Sequence, residues 1–159
     1  RILTKAGLEE TQITASGKGE FDPVMPNINK ENKQKNRRTE IIITPNLDEA
    51  KILFNDCSFE NLKSISHQTN ILLKGGHAHS KFSNDILFAD GSVTEFASER
   101  ISFSKHGSGC VLSSAIAACI AKGNALNEAV EEAKQYTLSY LKSDSSLLGW
   151  HHQIQLQHA

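Results

Sequence analysis

The sequence has 159 residues with a formal net charge of −1, and 38% of them are hydrophobic against 22% charged. That length suits one domain with a hydrophobic core and is short for two. The near-neutral charge gives no sign of nucleic acid or an anionic membrane as a partner, and no apolar run of about 18 residues predicts a membrane span. Three cysteines, Cys57, Cys110 and Cys119, lack the spacing of a disulfide framework or a metal site. We therefore expect reduced thiols and a cytoplasmic protein.

The first forty residues show the weakest pattern. Within "FDPVM" (21–25), Asp22 stands where a strand would end, so its carboxylate could hold Mg²⁺ or phosphate, although Asp-Pro also opens ordinary turns. The segment 27–40 has Ile28 as its only aliphatic residue, which predicts a mobile loop or a damaged helix. Its basic residues are interpreted as a solvated charge run in preference to a phosphate-binding patch.

From residue 41 the pattern alternates between strands and helices. The β-branched run "IIIT" (41–44) and the apolar run "NILLKGG" (70–76) predict strands buried on both faces, and the segments between them have helical periodicity. This alternation favours a parallel sheet covered by helices. Two further strands surround the turn Asp90-Gly91, a hairpin signal, and a short strand is predicted at 100–103.

Two helices end the predicted order of elements. Apolar residues surround the segment from Ser108 to Lys122 on nearly all sides, which predicts a helix packed in the interior, with Gly123 at its end. The segment 126–141 has apolar residues on one face only, so we expect it to lie on the sheet.

The motif "HGSGC" (106–110) precedes the interior helix. Gly107 and Gly109 permit backbone conformations in which consecutive N–H groups point at an anion, and the positive end of the helix dipole adds to this. Cys110 lies in the first helical turn, where the dipole favours a thiolate that could accept a proton. Taken alone, the motif is better explained by a tight strand-to-helix connection with a small buried thiol.

Two more motifs follow predicted strands. In "TPNLDEA" (44–50), Asn46 and Glu49 have the spacing of a capping box, and they would also lie at the carboxyl end of a strand, where ligands bind in such sheets. Lys74 ends the next strand, where a lysine could reach nucleotide phosphates. His77 and His79 follow it, and without a third ligand they are interpreted as surface residues.

Taken in order, these motifs resemble the hydroxymethylpyrimidine/phosphomethylpyrimidine kinases of thiamine biosynthesis, a family of the ribokinase-like superfamily. The resemblance covers 40–148 closely and 21–25 locally. It implies an α/β fold of three layers, α/β/α, whose ribokinase-like sheet is mostly parallel with an appended hairpin. The motifs that carry it are "DPVM", "TPNLDEA", "LLKGGH", a hairpin beginning with Asp85, "HGSGCVLSSAIAACIAKG" and "LNEAVEEAKQY".

The resemblance also implies an activity and roles for residues. It implies ATP- and Mg²⁺-dependent phosphorylation of a small pyrimidine alcohol and then of its monophosphate, with no nucleic acid or membrane as partner. Superfamily kinases often pair, which suggests a homodimer. By position, the anion hole would comprise Gly107, Ser108, Gly109 and the base Cys110; Lys74 and Asn46 would serve ATP, and Asp22 and Glu49 the metal. The family pattern reads G-T-G-C, so Ser108 keeps the hydroxyl and loses a methyl.

Two departures from the family leave alternatives open. The glycine-rich first strand and most pyrimidine-binding residues have no counterpart, and "PNINKENKQKNRR" (26–38) replaces a turn and a helix. We therefore expect a single domain, 1–159, that corresponds to the C-terminal two-thirds of a ribokinase-like kinase. The alternatives are pyridoxal kinase activity, a nucleotide-binding remnant without catalysis, and a redox-sensing thiol protein.

Overall fold

The computed structural model describes residues 13–16, 26, 28–36, 40–75, 81–102 and 104–151. Five strands and five helices lie in these ranges. The strands are β1 (Ile13–Ser16), β2 (Glu40–Ile43), β3 (Asn70–Leu73), β4 (Asp85–Ala89) and β5 (Ser92–Phe96). The helices are α1 (Lys30–Asn36), α2 (Leu47–Phe54), α3 (Phe59–Ile65), α4 (Ser108–Ala121) and α5 (Leu126–Lys142).

The strands form one sheet in the order β1-β2-β3-β4-β5. β2 and β3 are parallel, and a parallel bridge between Asn46 and Lys74 continues their pairing. β1 joins β2 antiparallel, and β4 is antiparallel to both β3 and β5. The described sheet is therefore less parallel than predicted. Its parallel pairing is that of β2 with β3, and both β1 and the hairpin of β4 and β5 add antiparallel pairings.

Helices cover both faces of this sheet. On one face Ile42, Leu72 and Leu87 pack in a core with α4 and α5. The residues next to them point the other way, where Ile71 and Phe88 pack with Leu62 of α3. Successive side chains of a strand alternate between faces, so strands with apolar residues on both faces need a helical layer on each side. The predicted α/β class and α/β/α layering are confirmed.

Most predicted elements have counterparts. The hairpin turns at Asp90 and Gly91, which have φ of 47° and 71°, and the two C-terminal helices begin and end near the predicted residues. The strand predicted at 100–103 was wrong for its described residues, 100–102. The chain pairs with residues 81–83 through a bridge between Phe82 and Glu99 and through the hydrogen bond from Arg100 N–H to the Lys81 carbonyl at 3.1 Å, without forming a strand at 100–102.

The N-terminal predictions are only partly described. Within 27–40, α1 is helical and begins where Asn29 Oδ1 accepts the N–H of Asn32 at 2.8 Å. Mobility of this segment stays a prediction. The motif 21–25 with Asp22 lies outside the described residues, as do His77 and His79. Across the described ranges, none of the helices combines the length and apolar character that crossing a bilayer requires.

Candidate active site

A cavity of about 220 Å³ lies at the carboxyl end of the parallel pair β2–β3. Residues that follow both strands reach it, as does the beginning of α4. It brings together five of the residues that the sequence singled out, from three separate segments: Asn46, Glu49, Lys74, Ser108 and Gly109. This is the edge at which open α/β sheets bind ligands.

Asn46 and Glu49 form the predicted capping box at the beginning of α2. The Glu49 N–H donates to Asn46 Oδ1 at 2.9 Å, and the Asn46 N–H donates to Glu49 Oε2 at 2.7 Å. Each side chain thus satisfies a backbone donor that a helix start leaves unpaired. Because both residues also line the cavity, the structural role and a role toward a ligand coexist.

Lys74 approaches the first turn of α4. Its N–H donates to the Pro45 carbonyl at 2.8 Å, which fixes the backbone, and its ammonium lies 3.5 Å from where a Cβ on Gly109 would stand. The preceding N-cap, Gly107, has φ of 76°, a left-handed conformation suited to glycine, and the first turn carries no acidic residue. An ammonium and the positive end of a helix dipole therefore converge, which favours an anion between them.

The structure divides the glycine motif between two spaces. Ser108 and Gly109 line the cavity, whereas Cys110 is exposed and lines a larger groove of about 470 Å³ between α4 and α5. Tyr136 and His151 lie on the same groove, and the Tyr136 hydroxyl is 2.9 Å from His151 Nδ1. Cys110 therefore does not share the cavity of Lys74. It stands one residue away from it along the helix.

Sequence reasoning missed a buried ion pair in the cavity wall. Lys134 Nζ lies 2.7 Å from Asp85 Oδ2, and the two side chains are 5% and 9% exposed. Lys134 also donates to the Ser83 carbonyl at 2.9 Å, and Asp85 Oδ1 accepts the Gly75 N–H at 2.8 Å. The pair thus ties α5 to the ends of β3 and β4. The available signal was a lysine at 134 on the apolar face of α5, four residues after Val130.

Gly75 has a structural role directly after Lys74. A Cβ at this position would collide with the backbone oxygen of Asn84 and lie 2.8 Å from its backbone nitrogen. Arg100 Nη2 donates to the Gly75 carbonyl at 3.0 Å. Gly75 therefore permits two backbone segments to approach closely behind Lys74, which holds that lysine at the cavity.

Of the two predicted metal ligands, Glu49 is described by the structure and Asp22 lies outside the described ranges. In the remainder, no cluster of three or more His, Cys, Asp or Glu side chains forms. Glu49 is at the cavity with one oxygen engaged by the capping box. This donor set fits Mg²⁺ carried by nucleotide phosphates, because Mg²⁺ keeps several waters and takes one or two carboxylates beside phosphate oxygens.

Comparison with known proteins identifies the family. The model of a family described as phosphomethylpyrimidine kinase matches residues 17–155. The chain belongs to the phosphomethylpyrimidine kinase family. Two similar members are the thiamine biosynthesis bifunctional protein ThiED of Geobacter sulfurreducens, 37% identical over 110 residues, and the hydroxymethylpyrimidine/phosphomethylpyrimidine kinase of Rhizobium meliloti, 34% identical over 106 residues.

Solved structures agree with this family fold. The pyridoxal kinase of Staphylococcus aureus in complex with AMP-PCP and pyridoxal is 27% identical and has a TM-score of 0.56 over 64% of this chain and 42% of its own. The predicted ribokinase-like fold is confirmed.

The match to the G. sulfurreducens protein covers 64% of this chain and 22% of that protein, and the match to the R. meliloti kinase covers 60% of this chain and 40% of that protein. The chain therefore spans less than half the length of these curated relatives.

Proposed function

We propose that this chain forms the nucleotide-binding and catalytic part of a phosphomethylpyrimidine kinase, which transfers phosphate from ATP to hydroxymethylpyrimidine and then to its monophosphate. The observation that carries this proposal is the meeting of Lys74 with the beginning of α4 at Gly109. Two positive groups converge there on the cavity at the carboxyl edge of the sheet. Phosphoryl transfer requires such positioning and charge stabilisation more than covalent chemistry.

In this proposal the ATP phosphates occupy the cavity. The N–H groups of α4's first turn and the Lys74 ammonium bind the transferring phosphoryl, and Asn46 faces the phosphate chain. Glu49 and Asp22 would hold Mg²⁺, which when bound offsets charge on the phosphate oxygens. The AMP-PCP complex of the S. aureus pyridoxal kinase supports ATP as the nucleotide.

The acceptor alcohol approaches from the groove side of the glycine motif. The volume of this groove, about 470 Å³, falls within the usual range for a small-molecule site. Cys110, exposed on this groove, accepts the hydroxyl proton as the alcohol oxygen bonds to the γ-phosphorus and ADP leaves. Residues of the glycine motif border both the cavity and the groove, so in this proposal the donor phosphate and the acceptor hydroxyl meet at α4's first turn.

The alternative functions differ from this proposal in the acceptor molecule or in whether the chain catalyses any transfer. Pyridoxal is the acceptor that the S. aureus relative's bound ligand suggests, and a non-catalytic remnant would bind nucleotide without transfer. A redox-sensing role would rest on Cys110, and all three cysteines of the chain are free.

We place the protein in the cytoplasm, where ATP and a reducing environment coexist, and we include homodimer formation in the proposal.

Calorimetric titration with ADP, with and without Mg²⁺, tests the nucleotide site. Lys74→Met removes the ammonium and keeps most of the side-chain volume, so we expect at least about tenfold weaker ADP binding, since a charged hydrogen bond contributes roughly 1.5–3 kcal/mol. The exposed Lys63 of α3, changed to Met, is the matched control. Equal ADP affinity of Lys74→Met and the control would contradict the proposed phosphate site.

Phosphate transfer from ATP to hydroxymethylpyrimidine and to pyridoxal separates the alternatives. We expect turnover with the pyrimidine, and Cys110→Ser should lower kcat by about 100-fold or more while ADP affinity stays near wild type. Preferred turnover of pyridoxal would favour the second acceptor. ADP binding without transfer to either alcohol would favour the non-catalytic alternative, and unchanged kcat in Cys110→Ser would remove the cysteine from the mechanism.

A further inference from the structure

Lys105 is a buried lysine two residues before the N-cap of α4. It is 5% exposed, although lysine is among the residue types least often buried. Its Nζ donates to three backbone carbonyls of one loop: Asp144 at 2.7 Å, Ser146 at 2.8 Å and Leu148 at 3.0 Å. An ammonium has three N–H donors, so this loop satisfies all of them.

A second set of contacts joins the same loop and the end of α5 to the residue after Lys105. The His106 N–H donates to the Leu147 carbonyl at 3.1 Å, and the His106 carbonyl accepts the Tyr140 hydroxyl at 3.2 Å. Both peptide groups of His106 are thereby fixed immediately before Gly107. The loop 144–149 and the beginning of α4 are thus held to each other over consecutive residues.

The loop is shaped to fit around the lysine. A Cβ on Gly149 would stand 2.5 Å from ring atoms of Tyr140 and 2.9 Å from Lys105 Cδ, so only glycine fits without a shift. Asp144 Oδ1 accepts the Ser146 N–H at 2.6 Å. This hydrogen bond holds the pKa of Asp144 below its usual range, and the positive charge of Lys105 adds a smaller lowering. The loop thus presents its carbonyls to the ammonium in a fixed turn.

We propose that Lys105 is a positioning residue that clamps the loop 144–149 to the backbone of 105–107 and thereby holds the anion-binding turn of α4 in place. A buried ammonium is unfavourable unless it is fully hydrogen-bonded, so this lysine is stable only while the loop is closed on it. Closure of the loop in turn fixes the backbone from which Gly107 enters its left-handed conformation. The anion-binding part of this inference rests on the proposed function.

The test compares Lys105→Met, which removes the three donors and keeps the chain length, with Lys142→Met, an exposed lysine of α5 close to the same loop. Amide hydrogen exchange is followed in peptides covering 104–112 and 143–151, and ADP affinity is measured for each variant. We expect exchange to accelerate by about tenfold or more in both segments of Lys105→Met, because opening of the loop no longer breaks bonds to a charged donor. We also expect its ADP affinity to fall several-fold, with Lys142→Met like wild type.

The outcomes separate the clamp from the kinase proposal. Accelerated exchange in 143–151 alone, with 104–112 and ADP affinity unchanged, would mean that Lys105 only closes the loop and would overturn the inference. If the wild-type chain binds no ADP, the proposed function fails, and the exchange of 104–112 still decides the clamp. If Lys105→Met does not fold, Gly149→Ala, which displaces the loop and retains the lysine, should accelerate exchange in both segments; unchanged exchange in 104–112 would overturn the inference.

Discussion

At the scale of single residues, the environment of each cysteine differs more than the sequence indicates. Cys110 is exposed at the first turn of α4, Cys57 is partly exposed, and Cys119 of the same helix is buried. Burial raises the pKa of the Cys119 thiol, and the neighbouring Glu132 raises it further. Burial and the nearby Asp56 likewise raise the pKa of Cys57. Of the three thiols, Cys110 is the exposed one.

Alkylation should distinguish these thiols. With iodoacetamide at pH 8 we expect Cys110 to react first, Cys57 more slowly and Cys119 last, because Cys110 is exposed and the raised pKa values of the other two lower the share of reactive thiolate. As the pH rises past 9, the ordinary pKa of a cysteine thiol, the rates of Cys57 and Cys119 should increase toward that of an unfolded control. Peptide mass spectrometry follows each site, and Cys119 reacting as fast as Cys110 at pH 8 would contradict this order.

At the scale of elements, the ion pair of Asp85 and Lys134 joins β4 to α5. A buried pair of this kind adds little net stability compared with apolar residues, but removal of one partner leaves a charge buried without its counterion. Asp85 also holds the Gly75 N–H, so the pair supports the strand end that carries Lys74. The integrity of the cavity wall therefore depends on both residues together.

Lys134→Met should lower the free energy of unfolding by roughly 3–5 kcal/mol, since it leaves the Asp85 carboxylate buried and uncompensated. The double variant Asp85→Asn with Lys134→Met removes the unpaired charge and should be more stable than Lys134→Met alone. Urea unfolding followed by circular dichroism measures both. The single variant Asp85→Asn completes the cycle, and a double variant whose loss equals the sum of the Lys134→Met and Asp85→Asn losses would show that the residues do not interact.

At the scale of the whole molecule, two apolar clusters share one thin sheet. Ile116 of α4 belongs to one cluster and Leu62 of α3 to the other, and both side chains are buried. The strands contribute alternate residues to both clusters, so loss of packing on one face loosens the strands that form the other. This coupling leads us to expect that the predicted single domain unfolds as one cooperative unit.

Leu62→Ala and Ile116→Ala test this expectation. Each should lower the free energy of unfolding by about 2–5 kcal/mol through lost burial and a residual cavity. Both should shift a single transition, measured by circular dichroism and by fluorescence of Trp150, the only tryptophan. Ile52→Ala, at a side chain that is 81% exposed, is the control and should change stability by less than about 0.5 kcal/mol. Two separate transitions, each sensitive to one variant, would show that the chain does not behave as one domain.

The sequence by itself determined most elements from residue 40 onward and identified five of the residues that line the cavity: Asn46, Glu49, Lys74, Ser108 and Gly109. β-branched runs, the hairpin turn at Asp90-Gly91 and the apolar segment after "HGSGC" each have a local physical cause, as does the capping box of Asn46 and Glu49. Such features depend on neighbours within a few residues, and the α/β/α layering follows from strands that are apolar on both faces. The roles of Asp22 and Glu49 toward a metal stay predictions.

Only the tertiary structure decided which residues meet. Asn46, Lys74 and Gly109 line one cavity. Their separations of 28 and 35 positions along the sequence do not indicate how close they lie in space. The pairing of Lys134 with Asp85 and the enclosure of Lys105 by three carbonyls also needed the fold, since their partners lie 49 and 39 to 43 residues away. Cys110 could be placed on the groove and apart from Lys74 only once α4 was oriented against α5. Contacts between distant segments are set by packing of the whole chain, which local periodicity does not encode.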